Sequence, residues 1–329
     1  MNRQYVARRA MFGVVSFYAV LSLAFFFMAL APDPNKALLA YQGGSEEQIQ
    51  TLLAAKGYDE PLLERYVGYL WDITTLDWGQ TTGRFGRGGP EVLDVLAKHL
   101  PYTLVYVVPA VVVGFAGGIG LGVYAAIKKG GYVDRVVQSV GYFGFGIPNF
   151  FFAELALFAL EEQYGILDFT IGRQSSRVYT PGELFNIWTV DHLLQFAVVA
   201  AILAVSLVAG QLRYARSECL EYVSADFVKL ARAKGASEYR VMAHVARNAA
   251  LPLMAMFLAD LVTVLVVHVF VLEFVFNVPG IGQMGIVAVK QRDLPFVMGI
   301  TIVIAGFGVV ANFLQDVGLG AIDPRTETN

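Results

Sequence analysis

Leu100–Ile127 reads LPYTLVYVVPAVVVGFAGGIGLGVYAAI, with no charged side chain along its length. A bilayer hydrocarbon core about 30 Å thick is crossed by about 20 helical residues at 1.5 Å each. Backbone polar groups must be satisfied internally in lipid, so such a run is helical. Five further stretches meet or approach that length: Ala10–Ala31, Val136–Leu160, Asp191–Leu212, Pro252–Phe276 and Leu294–Gly320. The expected fold is an all-α integral membrane protein with six transmembrane helices. Composition agrees, since 56% of the 329 residues are apolar, 16% are charged and mean hydropathy is +0.56. Soluble domains carry about 45–50% apolar and about 25% charged residues. Arg8-Arg9 ahead of the first run resembles a signal peptide, but the run exceeds the usual 7–15 residues, so it is read as a retained anchor.

The excluded chemistry follows from the same list. Cys219 is the single cysteine, which rules out an internal disulfide framework. His99, His192, His244 and His268 are too dispersed for a local metal motif. No GxxxxGK[ST] loop is present, so ATP driving this chain would be bound by another subunit. Gly280-Ile281-Gly282-Gln283-Met284-Gly285 has the GxGxxG spacing but lies between apolar helices instead of in a βαβ unit, so it is read as a backbone turn.

Lys and Arg set the expected orientation. With a cytoplasmic N-terminus, the inner segments 1–10, 128–135, 213–250 and 321–329 carry 14 basic against 7 acidic side chains. The outer segments 32–99, 161–191 and 277–293 carry 10 against 16. Both termini are then cytoplasmic. Residues 1–31 form the N-terminal tail and first helix, 32–99 an external segment, 100–320 a five-helix core and 321–329 a tail. In the external segment, Ser45-Glu46-Glu47-Gln48 has capping-box spacing ahead of Ile49, Leu52 and Leu53. Pro61–Leu70 repeats the helical pattern, and Gly83, Gly86, Gly88 and Gly89 mark a turn; a small helical cap is expected.

The inner segment 213–251 is patterned. Val223, Phe227, Leu230 and Ala231 fall on one helical face, Gly235 suits a C-terminal cap, and Ser237 suits the N-cap of a second helix presenting Val241, Val245 and Asn248. Such a helix pair could lie on lipid headgroups or dock into a groove of another protein. Within the spans, Gly114, Gly118 and Gly122 recur every four residues, with Gly117 and Gly120 nearby, a spacing that permits close helix approach. Pro148 is expected to kink the third span. Glu154, Asp260, His268, Glu273 and Asp316 are intramembrane ionisable groups. Asp260 and His268 share a face and are candidates for a polar pathway, with interhelical hydrogen bonding the alternative. Glu273 and Asp316, near span ends, are read as hydrated or structurally paired.

The run DFVKLARAKGAS (Asp226–Ser237), followed by RNAALP (Arg247–Pro252), resembles the EAA loop of ATP-binding-cassette importer permeases in the di- and oligopeptide branch, where "DYVRTARAKG" and "RNALLP" are typical. Lys229 stands where the glutamate of the loop's name would be, a departure common in that branch. FNVPGIGQMGIVAVKQRDLPFVMG (Phe276–Gly299), Ile322-Asp323-Pro324-Arg325, Leu30-Ala31-Pro32-Asp33-Pro34 and Asp77-Trp78-Gly79 extend the likeness along most of the chain, of first-permease type.

This resemblance implies a multi-pass cell-membrane subunit, without catalytic residues, metal or cofactor of its own. ATP and Mg would be held by one or two partner ATPase subunits. A second permease and an external binding protein complete the implied system. The coupling element would comprise Asp226, Lys229, Ala231, Ala233, Lys234, Gly235, Ala236, Ser237 and Glu238. Relatives also carry nickel chelates or sugars. Other function classes are an ion-coupled secondary transporter with Asp260 and His268 as a proton relay, or a membrane scaffold.

Overall fold

The computed structural model describes residues 3–31, 36, 41, 43–54, 60–82, 89–169 and 189–322. Among them the secondary structure is helical, with one isolated bridge, Gln80 to Glu91. The helices are α1 (Arg3–Leu30), α2 (Glu46–Ala54), α3 (Leu62–Thr75), α4 (Val92–Ile127), α5 (Tyr132–Gly146), α6 (Asn149–Leu157), α7 (Val190–Val223), α8 (Asp226–Ala233), α9 (Glu238–Asn248), α10 (Ala250–Thr263), α11 (Val269–Val275), α12 (Ile281–Gln291) and α13 (Leu294–Ile322). Among the described residues five helical stretches are long and apolar enough to cross a membrane: α1, α4, α7, α10 with α11, and α13. The sixth expected span is two arms. The first arm is α5, and the second is α6 with its π-helical extension Phe158–Gln163; they meet at 87°. Ile147 is extended and Pro148 offers no amide hydrogen, so the helix stops there and does not merely kink.

Three other boundaries move. The fourth span does not end at Leu212 but continues as α7 to Val223, so the first part of the 213–251 segment is the same rod that crosses the membrane. Between the last two spans, where only a turn is expected, α12 forms. The fifth span is interrupted by a π-helical turn, Val264–His268.

The chain forms two compact units, one made of 1–6, 99–283 and 311–329, the other of 7–98 and 284–310. In the first unit α7 is the central post, burying among others Gln195, Phe196, Leu203, Leu207, Gln211 and Cys219. The glycine stripe of α4 packs on it. A Cβ at Gly118 would lie 2.6 Å from Gln211 Cβ, and one at Gly122 would lie 2.6 Å from the Leu212 carbonyl oxygen. The neighbour that the stripe requires is therefore α7 of the same chain. Gly141 and Gly144 of α5 face α7 likewise, at Leu212, Ala209 and Val205. Arg216 of α7 donates to both oxygens of Asp134, at 2.6 and 3.0 Å, and the Gly130 amide adds a third donor at 2.8 Å. Asp134 is buried, so this fork fixes the α4–α5 turn against the post.

In the second unit the two helices expected between the first and second spans are present. Ser45 and Gln48 exchange the two bonds of a capping box, at 2.9 and 3.3 Å, and open α2. α3 packs on α1 through Phe25, Phe26, Tyr66 and Tyr69, while Leu21, Ile73 and Ile302 form a small core with α13. Buried Asp293 accepts from the Thr82 amide at 3.0 Å and caps α13 through the Phe296 amide at 3.2 Å. Among the glycines of the expected turn, Gly83, Gly86 and Gly88 lie outside the described residues, as do Pro32-Asp33-Pro34 and Asp323-Pro324-Arg325.

Candidate functional site: a helical hairpin beneath a polar cavity

α8 and α9 form a hairpin whose bend is fully hydrogen-bonded. The Ala236 amide donates to the Ala231 carbonyl at 3.0 Å and the Gly235 amide to Arg232 at 2.9 Å, the two bonds of a Schellman turn. That turn needs a left-handed residue, and Gly235 supplies it with φ +74°. Ser237 then caps α9, its hydroxyl accepting from the Arg240 amide at 3.5 Å. The hairpin is seated by Val228, Val241, Val245 and Ala249, which are buried with Val123, Ala126, Ala215, Cys219 and Leu253. Lys128 of the α4–α5 turn reaches Glu238 at 2.6 Å, and this carboxylate holds the lysine above its ordinary range. Asp226 accepts from Lys229 at 2.8 Å, which holds its carboxyl below the usual range.

On α8 the expected apolar face stays open: Phe227 and Leu230 are exposed (38% and 56%) and Ala231 partly so, while Val228 on the other side points inward and seats the helix. On α9 the expected face divides: Val241 and Val245 are buried against other helices of the same chain, whereas Asn248 is exposed and bonds the His244 carbonyl at 2.8 Å. The candidate residues Asp226, Lys229, Ala233, Lys234, Gly235, Ser237 and Glu238 are exposed and Ala231 and Ala236 partly so. They share one hairpin with exposed Leu230 and Tyr239 (79%). A polar rim around exposed apolar side chains suits a protein groove.

In the same unit, α5, α6, α7 and α10 enclose a cavity of about 840 Å³. Asp260, His268 and Pro148 all line it, so the structure brings the two pathway candidates and the break together. Gln211 donates to Asp260 Oδ2 at 2.7 Å. Asn149, the first residue after Pro148, accepts from the Ser206 hydroxyl and lies 2.7 Å from His268 Nδ1 through its own Nδ2. Arg213 also lines the cavity, its guanidinium 4.0 Å above the Phe145 ring.

Glu273 is a hub that the sequence undersold. It is fully buried and accepts from Thr103 Oγ1 at 2.7 Å, Tyr106 OH at 3.0 Å and the Gln283 amide at 2.9 Å. Thr103 in turn accepts from the Ile281 amide at 2.9 Å, and His99 Nδ1 lies 2.6 Å from the Pro279 carbonyl. Among the described residues only donors face the carboxylate, the arrangement suited to an acceptor group at a helix N-terminus. Gly280 and Gly282 are required by this approach: a Cβ at Gly280 would overlap the Glu273 carboxylate, and one at Gly282 would lie 2.9 Å from Phe270 Cα. The GxGxxG spacing is thus a seat for a side chain of the same protein. Glu154 is exposed on α6, and the Asp316 carbonyl accepts from Tyr5 OH at 3.0 Å.

Comparison with known proteins agrees with this architecture. Residues 118–328 match the family model described as "Binding-protein-dependent transport system inner membrane component". The chain is 28% identical to the dipeptide transport system permease protein DppB of Bacillus subtilis (strain 168), covering 98% of this chain and 97% of the relative. It is 28% identical to the oligopeptide transport system permease protein AppB of the same organism, covering 98% and 99%. Identity reaches 31% over 93% of each chain with a putative peptide transport system permease protein of Brucella abortus (strain 2308). With 211 of its residues inside the family match and five helical stretches able to cross a bilayer among the described residues, this multi-pass membrane protein belongs to the binding-protein-dependent transport system inner membrane components.

Proposed function

We propose that the chain is the permease subunit of an ATP-driven importer for di- or oligopeptides. It would form the pathway with a second permease, receive cargo from an external binding protein and couple to one or two ATPase subunits through the α8–α9 hairpin. The hairpin carries this reading: its bend is stiff, its inner face is locked into the membrane unit, and its outer face offers Phe227, Leu230 and Tyr239 to a partner. The peptide cargo is supported by the names of the relatives.

On this reading ATP-dependent closure of the ATPase pair displaces the hairpin and biases the permease between outward- and inward-facing states, which requires docking that differs between the two. On this reading the hairpin and both termini face the cytoplasm, in keeping with the Lys and Arg excess of their segments. The sequence has no phosphate-cradling loop, so hydrolysis belongs to the partners. Cysteines at Ala236 and Ser237 test the arrangement. They are expected to cross-link to the ATPase subunit and to be labelled from the cytoplasmic side only; labelling from outside would refute it.

A further inference from the structure

Asp260, Arg213 and Arg216 line the α5–α7–α10 cavity; Arg216 is paired with Asp134, whereas neither Asp260 nor Arg213 makes an ion pair within 4 Å among the described residues. Asp260 is held in place from behind. Gln211, 1% exposed, commits its amide nitrogen to Oδ2 at 2.7 Å, while Oδ1 receives no donor among the described residues. The Gln211 carbonyl oxygen is itself buried without a partner, so the glutamine gains nothing there except that one bond. Arg213, about one turn beyond Gly210 on α7, stacks its guanidinium on Phe145, which orients the cation without neutralising it. The Asn149–Ser206–His268 cluster lines the same cavity.

A carboxylate in an apolar helix is costly unless something compensates it. Here a carboxylate and a guanidinium share one space and stay apart, each oriented by a neighbour that leaves its charge intact. A ligand bearing both an ammonium and a carboxylate satisfies the two together. A volume of about 840 Å³ lies within the range of small-molecule sites, about 300–1,000 Å³, and accommodates a short peptide.

We propose that this cavity is a transit site reading the two termini of a short zwitterionic peptide, with Asp260 receiving the α-ammonium and Arg213 the α-carboxylate. The polar cluster at the α5–α6 break faces the backbone amides between them. The assignment rests on the peptide reading above and adds which groups of the cargo are recognised and by which side chains.

The test uses the complete transporter with its binding protein in proteoliposomes and compares uptake of trialanine, N-acetyl-trialanine and trialanine amide. Asp260→Asn is expected to lower the ratio of free to N-acetylated uptake about tenfold or more, and Arg213→Gln to do the same against the amide. The binding protein's own preference is common to wild type and variant and cancels in the ratio. Asp260→Glu and Arg213→Lys are expected to restore much of it. Equal loss for all three peptides, or unchanged ratios, would overturn the proposal.

A second measurement keeps both charges. With Met256→Cys in the cavity wall of the purified complex, millimolar trialanine is expected to slow maleimide labelling more than either blocked form does. Equal protection by all three overturns the proposal. A wild-type complex that imports none of the three peptides would instead overturn the peptide reading, and the assignment with it.

Discussion

Replacing Glu273 with alanine should free the N-terminus of α12 without unfolding the bundle. The carboxylate is fully buried and is the acceptor for Thr103 Oγ1, Tyr106 OH and the Gln283 amide. Each donor left without a partner costs about 1 kcal/mol or more, so three give at least about 3 kcal/mol. Local opening governs amide exchange, and every 1.4 kcal/mol is about tenfold. Hydrogen–deuterium exchange of the 277–283 segment should therefore quicken by about 100-fold in Glu273→Ala, with α7 little changed. Glu273→Gln keeps the shape and one acceptor oxygen but turns an NH2 toward a donor, for a loss of about 1–3 kcal/mol and an intermediate rate. Tyr106→Phe removes one bond and should move exchange least. Wild-type exchange in Glu273→Ala would refute the idea that this carboxylate anchors α12.

The remaining predictions concern the hairpin and its seat. Gly235→Val forces a β-branched residue to φ +74°, a strain of about 1–3 kcal/mol, and should uncouple ATP hydrolysis from uptake in proteoliposomes while leaving membrane insertion intact. Val228→Asp buries an unpaired charge and should sharply reduce the yield of folded protein on size-exclusion chromatography. Leu230→Asp on the exposed face should leave that profile unchanged and abolish co-purification of the ATPase. Gly122→Val cannot be accommodated between Ala215 and the Leu212 carbonyl, and should lower the thermal midpoint in detergent by several degrees.

The spans were legible because lipid imposes one rule, about 20 apolar residues without charge, and Leu100–Ile127 obeys it in isolation. Caps were legible for the same local reason: Ser45 with Gln48, Ser237, and Gly235 each act within a few residues. Contacts between distant segments were not legible. The open face of α8, Phe227 with Leu230, followed from spacing, but its inner contact through Val228 depends on packing against other helices of the unit. The Glu273 hub escaped because its partners lie about 170 residues upstream on α4 and ten downstream; its only local trace was the pair of glycines at 280 and 282. The Asp260 and His268 spacing pointed to one cavity, but Arg213 and Asn149 join it only through tertiary packing.

α7 has 34 residues, about 51 Å at 1.5 Å each, against a hydrocarbon thickness of about 30 Å. Its far turns carry Ala215 and Cys219, which grip the hairpin, and the turns just before them carry Ser206, Gly210 and Arg213, which wall the cavity. No joint separates the two stretches. A force applied to the hairpin therefore arrives at the wall as the shift of a single stiff shaft. The response at the cavity is set by how far that shaft tilts or slides, with no slack to be taken up by an intervening loop.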